Sequence, residues 1–438
     1  MKYILKGIYK ENAIPIAGIN LVNFKNQGAL DSALQDLYKL EIIPTEIGVD
    51  ILLLAEMVYL MDTGINREEV SEDGWSRELH IKVPVSNVAL WNKCVSVVKE
   101  MLDFLTGDIW TLEFEKRNWT PIKKQKGMFS SKYAGISLFS GGLDSLIGAL
   151  DHLSTNKIKN KNLFVSFAGD GSISKKQGYL FNEVSKHYGD INRLRFQNIK
   201  YDKIFSQIVC NREDTTRSRS FLFIAIAALA GSGLDAKIDI LIPENGIMSL
   251  NVPLTPIRLG ALSTRTTHPH YIELWNKLLS GLDLAIILKN PYWNKTKGEM
   301  LKDCKNKDFL QTVLDISSSC SHPASARWHK KAAQHCGYCI PCIIRRAAIY
   351  FAFTTDSTEY LYDSYRKLKK SGKLEQVQGI KYALHRLKQS PSLSKRLIHQ
   401  VGNLGFDTIK LKEYEALYKR GMQEIADFFT YWGIKNAK

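Results

Sequence analysis

The chain reads as an α/β protein built on a parallel sheet with helices on both faces, preceded by an α+β region and followed by a helical one. Two observations carry the central assignment. Short apolar runs recur at 135–139, 163–167, 193–198, 239–243 and 282–288, with helical patterns between most of them. Short strands separated by helices argue for parallel pairing with both faces covered. The second observation is the end of the first run. There Ile136-Ser137-Leu138-Phe139 gives way to Ser140-Gly141-Gly142-Leu143-Asp144-Ser145 and then to a helical pattern. In such sheets ligands bind at the carboxyl ends of the strands, where this loop would lie.

The flanking regions follow from the same patterns. Within 1–128, residues 79–85 and 110–114 alternate like strands, and 91–105 has helical spacing that stops near Gly107. This stretch reads as an α+β accessory domain. Lys123-Lys124-Gln125-Lys126-Gly127 reads as a linker into the body, 129–350. From 351 to 438 the pattern is helical and basic, with turns at Ser371-Gly372, Ser390-Pro391 and 402–405. A chain of 438 residues exceeds one ordinary core, so several domains are expected.

No apolar run approaches the roughly 20 residues of a membrane span. The longest, 51–61 and 221–230, are short, and Glu56 interrupts the first. Met1-Lys2-Tyr3-Ile4-Leu5-Lys6 lacks the apolar stretch of a secretion signal. A cytoplasmic location is expected, where the seven cysteines would be reduced or metal-bound rather than disulfide-linked. The net charge of +16 is uneven: residues 1–150 sum to −3 and residues 151–438 to +19. Such a field favours acidic partners, whether nucleic acid, nucleotides or an acidic protein; its bland alternative is a solvated basic helix face. Nucleic acid is thus possible but not required. In the sequence, aromatic residues are not interleaved with the basic run as in a single-strand-binding platform.

Residues 140–145 have the chemistry of an anion cradle. Two glycines let the backbone approach a ligand closely, and the helix that follows directs its free N–H groups and positive end at the loop. A pyrophosphate suits such a site. GxxxxGK[ST] is absent here, which excludes the kinase-type phosphate loop. The SGGxDS pattern resembles the PP-loop of the adenine nucleotide alpha-hydrolase-like ATP pyrophosphatases, which split ATP between its α- and β-phosphates. On that resemblance Phe139, Ser140, Gly141, Gly142, Leu143, Asp144 and Ser145 bind ATP, together with Ser166 and Phe167 at the end of the next strand. Ser140, Asp144 and Ser145 are also catalytic candidates, and Asp144 would orient the loop or hold Mg2+.

Cys336-Gly337-Tyr338-Cys339-Ile340-Pro341-Cys342, with Cys320 upstream, gives four thiols at C-x15-C-x2-C-x2-C spacing. Four thiolates complete a tetrahedral zinc site, which would clip the polar segment 321–335. The alternatives are an iron–sulfur cluster, a metal-free thiol set, or His322, His329 or His335 in place of Cys320. Arg345 and Arg346 face either the active site or solvent. Cys94, Cys210 and Cys304 read as packing residues.

A PP-loop followed by this cysteine set resembles the QueC (7-cyano-7-deazaguanine synthase) family over about 129–350. The nucleotide loop matches residue by residue, and the four cysteines match the family's zinc ligands in order. Thr296-Lys297-Gly298-Glu299 is similar to the family's TKxE segment, which makes Lys297 a phosphate contact and catalytic candidate. Arg217 or Arg219, before the apolar helix at 221–230, takes the place of a basic residue near the nucleotide. The family adenylates the carboxylate of 7-carboxy-7-deazaguanine, and an amine then displaces AMP.

The departures are a longer gap after Cys320, flanking regions without counterpart, and altered substrate motifs. Pro243-Glu244-Asn245-Gly246 and Leu262-Ser263-Thr264-Arg265-Thr266-Thr267-His268 stand in their place. Together these features resemble the QueC-like branch of bacterial anti-phage systems, the Qat type above all. That resemblance implies ligation of a 7-deazaguanine carboxylate to an amine of a partner protein in defence. The alternatives are ammonia as the amine, or a nucleotide-sensing or nucleic-acid-binding subunit without ligase activity. Glu244, with Asn245 beside it, is the candidate for the amidine-like edge of the base. Arg265 is the candidate for the substrate carboxylate or a phosphate, and His268 for the proton of the attacking amine.

Overall fold

The computed structural model describes residues 3–8, 19–25, 29–122, 132–155, 161–168, 171–197, 211–215, 217–254 and 265–434. The expected linker at 123–127, Cys210, Thr216 and Leu262-Ser263-Thr264 lie outside these.

The N-terminal region contains β1 (Tyr3–Ile8), β2 (Asn20–Asn23), α1 (Leu30–Lys39), α2 (Glu46–Gly64), α3 (Arg67–Val70), β3 (Glu78–Val85), α4 (Val88–Thr106) and β4 (Ile109–Lys116). The strands pair in the order β2-β1-β3-β4, each pair parallel. The expected α+β character is therefore corrected to α/β. Parallel neighbours need a crossover, and α4 provides it by returning the chain from the end of β3 to the start of β4. It stops at Gly107, which takes a left-handed φ of 75°. Leu79, Ile81, Val83, Val85 and Trp110 are buried on the inner face. The other face carries ion pairs between strands: Lys82–Glu113 at 2.7 Å joins the neighbours β3 and β4, and Lys6–Glu115 at 2.6 Å reaches from β1 across β3 to β4.

A second sheet follows, from β5 (Gly135–Leu138), α5 (Leu143–Thr155), β6 (Asn162–Ala168), α6 (Gly171–Tyr188), β7 (Asn192–Gln197), α7 (Arg217–Ser232), β8 (Ile238–Leu241), α8 (Gly246–Leu250), α9 (Pro269–Gly281) and β9 (Ile286–Lys289). All five strands expected here form, parallel and in the order β7-β6-β5-β8-β9. The last begins at Ile286 rather than 282, because Leu282 closes α9 and Asp283 turns the chain at a φ of 56°. Helices α5 and α6 pack in one apolar cluster with Phe139 and Phe164, and α7 and α9 pack in another with β5 and β8. Helices thus cover both faces. The chain runs outward from β5 to β7 and returns to β8 on the other side of β5. The end of β5 is therefore the topological switch point, where such sheets form a crevice.

The two long apolar runs of the sequence are α2 and α7. Both are buried along nearly their whole length, as a helix that is apolar all round must be. They lie antiparallel between the two sheets. Asp62 Oδ2 accepts the Ser218 N–H (3.1 Å) at one end, and Ser232 Oγ accepts the Thr45 N–H (3.0 Å) at the other. A Cβ on Gly48 would collide with Ser232. One apolar core thus runs from Leu5 of β1 through α2 and α7 to Leu288 of β9.

The rest is helical: α10 (Lys297–Asp303), α11 (Lys307–Val313), a 3-10 turn (Pro323–His329), α12 (Ile340–Phe353), α13 (Tyr365–Ser371), α14 (Glu375–Gln389), α15 (Leu393–Leu397) and α16 (Thr408–Tyr431). A separate apolar cluster joins α8 and α12 to α13–α16. Among the described residues no helix is long and apolar enough to cross a membrane.

Candidate active site and metal centre

Beyond β5 the chain turns through Gly141 at a φ of 83°, where any side chain is strained. A Cβ there would also lie 3.0 Å from Gln177 of α6. Gln177 Nε2 donates to the carbonyls of Phe139 (3.2 Å) and Ser140 (3.1 Å). Its Oε1 accepts from Arg193 Nη2 (2.8 Å), and Arg193 Nε donates to Ser166 Oγ (3.0 Å). Ser166, fully buried, in turn donates to the Phe139 carbonyl at 2.8 Å. Ser166 therefore supports the loop from within the sheet. Nothing in the sequence marked Gln177 or Arg193, since a glutamine in a helix and an arginine in a strand are ordinary alone.

Ser140 Oγ accepts the Gly142 N–H (3.3 Å) and lies 3.1 Å from Ser145 Oγ, which donates to the Gly142 carbonyl (2.9 Å). One turn along α5, Gly148 has no Cβ to strike Pro243, so the helix lies close against the 243–245 segment. That approach brings Asp144 to Asn245, whose N–H and Nδ2 both donate to Asp144 Oδ2, at 3.2 and 2.8 Å. Asn245 Nδ2 also reaches Glu244 Oε1 (3.2 Å), so one amide bridges two neighbouring carboxyls. Asn290 holds the Glu244 backbone at both its N–H and its carbonyl. Lys297 Nζ lies 2.8 Å from Asp144 Oδ1, and both side chains are buried.

These groups line one cleft of about 200 Å³ at the switch point: Ser140, Asp144, Ser145, Glu244 and Lys297, with Ser318 and Ser319 opposite. Burial would raise the Asp144 carboxyl. The Lys297 charge and hydrogen bonds from Glu244 and Asn245 outweigh it and hold Asp144 below the usual range. For Glu244 the Lys297 charge is too small an offset. Burial first, then the Asp144 charge, push it well above the usual carboxylate range.

Lys297 is held by its surroundings. Thr296 and Glu299 form a capping box on α10, with Thr296 Oγ1 accepting the Glu299 N–H (3.0 Å) and Glu299 Oε2 the Thr296 N–H (2.9 Å). From α16, Glu424 accepts hydrogen bonds from Thr296 Oγ1 and the Gly298 N–H, and Arg420 pairs with Glu299 at 2.6 Å. Glu424 escaped the sequence reading because it lies far along the chain in a helix that otherwise reads as surface.

Other expected site residues stand elsewhere. Arg217 is buried over Trp75 (5.0 Å) and donates to the Thr106 carbonyl. Arg219 lies over Phe167 (5.3 Å), beside the end of β6, and does not line the cleft. Arg265 packs on Phe104 of α4 (4.8 Å) and donates to its carbonyl. His268 is fully buried as the N-cap of α9, where its Nδ1 accepts the His270 N–H (3.2 Å), and burial lowers its pKa to about 3. Arg217, Arg265 and His268 thus stand outside the lining of the cleft, each packed against the N-terminal region or at the start of α9. Arg345 and Arg346 face neither the cleft nor solvent. Both are buried, donating to Leu314 O and Ser317 Oγ and to Tyr362 O and Asp363 O respectively.

The four cysteines come together as expected. Their sulfurs lie within 4.8 Å of one another, with Cys320–Cys339 and Cys336–Cys342 at 3.9 Å, and none is in a disulfide. Thiolates about 2.3 Å from one tetrahedral ion stand about 3.8 Å apart, so the set fits a single ion. A cluster of several irons, each with its own thiolate, needs wider spacing. Backbone N–H groups of His322, Cys336 and Cys339 point at the sulfurs, each at 3.3 Å. His335 stays outside the set, its Nε2 3.0 Å from the Ser317 carbonyl and its Nδ1 3.8 Å from Cys342 Sγ. Cys94 and Cys304 are buried packing residues.

The metal centre and the cleft are joined through residues 317–320. The Ser318 N–H donates to the Gly141 carbonyl (2.9 Å), Ser319 Oγ accepts the Leu143 N–H (3.3 Å), and Cys320 follows directly. No protein-family model matches the chain, and no curated protein matches it.

Proposed function

We propose that the chain is an ATP-dependent, AMP-forming ligase. It would adenylate the carboxylate of a 7-deazaguanine and pass the acyl group to an amine. The observation that carries this is one cleft, at the end of β5, lined by Ser140, Asp144, Ser145, Glu244 and Lys297. The parallel order around β5 supports a nucleotide crevice at that point. The resemblance to the QueC-like branch supports a deazaguanine substrate, a role in anti-phage defence and a partner protein as amine donor.

In this reading a substrate carboxylate oxygen attacks the α-phosphorus of ATP and the bond to the bridging oxygen breaks, releasing pyrophosphate. Backbone N–H groups of 141–145, the two serine hydroxyls and the Lys297 ammonium hold the charge of the leaving group. Mg2+, when bound, would neutralise phosphate oxygens, and Asp144 is the carboxylate that would hold it. The amine then attacks the acyl carbon, AMP leaves, and the amine's proton passes to solvent. Glu244 at the strand end receives the amidine-like edge of the base. The four thiolates fit structural Zn2+, whose work here is to anchor residues 317–320 over the loop.

The test incubates pure protein with ATP, magnesium and 7-carboxy-7-deazaguanine, with ammonium or the protein encoded beside it, and follows all species by mass spectrometry. A mass gain on the partner with AMP release is expected. A free nitrile with an unmodified partner would instead make this a biosynthetic enzyme. No AMP under either condition would leave the non-ligase reading.

A further inference from the structure

The surface around the metal loop carries chemistry that the cleft does not use. Arg327, Trp328, His329, Lys330 and Lys331 are consecutive and all exposed, and the Trp328 side chain is 90% exposed. Leaving one of the largest apolar side chains in water forgoes the burial it ordinarily supplies. The turn that presents it is built, not frayed. Ala326 beneath it is fully buried and Lys330 closes the turn at a φ of 54°. The N–H groups of Lys330 and Lys331 return to the carbonyls of Arg327 (2.9 Å) and Ala326 (3.1 Å). Cys320 and Cys336 hold the two ends.

The charge of the two stretches that form this surface is one-sided, and the exposed carboxylates Asp356, Glu359 and Asp363 are confined to the segment between them. No Asp or Glu occurs between Asp315 and Asp356, and Glu375 is the one carboxylate in 365–400. Exposed Arg366, Lys369, Lys370, Lys373 and Arg386 lie in that second stretch. The fold joins the two stretches. Gln376 Oε1 at the start of α14 accepts the Ile340 N–H (2.7 Å), next to Cys339. Lys373 lies over Tyr338 (5.6 Å), Tyr338 meets Tyr362 (5.7 Å), and Tyr362 meets His329 (6.1 Å). A second aromatic side chain, Tyr382, is 63% exposed with Arg386 over its ring (5.7 Å). Aromatic and basic residues that stand apart in sequence, His329, Tyr338, Tyr362 and Lys373, thus form one chain of contacts from the metal loop to the start of α14, with Tyr382 and Arg386 further along that helix.

We propose that this face binds single-stranded nucleic acid, with a base stacked on Trp328 and phosphates held by cations of the metal loop and α13–α14. Every base offers a face to an indole, and the cations follow the backbone. A duplex keeps its bases stacked inside and has no use for a protruding indole. An acidic protein would use the cations, but aromatic anchors of protein interfaces sit where charge is depleted. Trp328 has cations on both sides.

The test uses the full chain and a fluorescein-labelled oligo-thymidine, read by anisotropy between about 50 and 200 mM salt. Binding should weaken steeply as salt rises, and the matching duplex should bind less tightly. Trp328→Ala should weaken binding about tenfold, and Trp328→Phe should keep most of it. Lys330→Ala with Lys331→Ala should lower the salt slope by about 1.4, at about 0.7 per phosphate contact. Metal content and thermal melting, measured on each variant, separate a lost contact from a lost fold. No binding at the lowest salt overturns the proposal. So does affinity indifferent to Trp328→Ala in a folded, metal-replete variant, or competition by polyglutamate equal to that by the oligonucleotide. The last result would mark an acidic-protein surface instead.

Discussion

Lys297 and Asp144 neutralise each other within a buried cleft, and burial beside the Asp144 charge keeps the neighbouring Glu244 carboxyl protonated. Removing one partner of such a pair leaves an uncompensated buried charge, which costs about 3–5 kcal/mol. Lys297→Met should therefore destabilise the protein by that order in denaturant unfolding and also abolish AMP formation. Asp144→Asn should abolish AMP formation as well, with less loss of stability, since the Lys297 ammonium can turn toward the open cleft. Gly141 makes a second, sharper prediction. Alanine there meets both the positive φ and the Gln177 side chain, a strain of about 1–3 kcal/mol. Gly141→Ala should slow AMP release far more than Gly142→Ala, whose nearest neighbour is the movable Ser140 hydroxyl.

Two elements hold the cleft from outside it. The 317–320 segment ties the loop to the four cysteines, so on the proposed reading loss of a bound ion should loosen a cleft whose own residues are intact. Cys339→Ser, or chelation, should release one zinc by mass spectrometry and expose 321–335 to protease. AMP formation should fall while circular dichroism keeps the sheet signal. On the other side α16 reaches α10 through Glu424. Burial raises its carboxyl to about 7, only partly offset by the hydrogen bonds from Thr296 and Gly298. A raised carboxyl means that the folded state binds the proton more tightly. Its contribution is then complete below about pH 4.5 and is lost as pH rises to about 7, some 3 kcal/mol in all. Glu424→Gln stays neutral and should match the wild type near pH 5 but melt higher at pH 8.

At the scale of the whole molecule the two sheets are not separable lobes. Helices α2 and α7 bury each other's apolar surfaces between them, and a helix apolar on all sides has no face to give to water. A chain beginning at residue 132 should therefore aggregate on size-exclusion chromatography, and co-expression with residues 1–122 should restore a soluble species. Gly48→Leu, which places bulk against Ser232, should destabilise the whole protein by about 1–3 kcal/mol in one cooperative transition.

Local signals sufficed for whatever depends on neighbours in the chain. The strands of the second sheet, the turn at Gly107, the 140–145 loop and the four cysteines were legible because period, positive-φ glycines and ligand spacing are written over a few residues. The place of Glu244 in the cleft was legible too, since the end of a strand beside the 140–145 loop lies at the switch point. Tertiary structure alone decided what depends on distant partners. A carboxyl at 424 supports a lysine at 297, Gln177 carries the loop through Arg193 and Ser166, and the runs at 51–61 and 221–230 become each other's solvent. Arg217, Arg265 and His268 carry chemistry apt for anions or protons, yet packing against α4, Trp75 and the start of α9 places them away from the cleft. A side chain's functional groups are fixed by its identity, but what they face is set by which surfaces fold together.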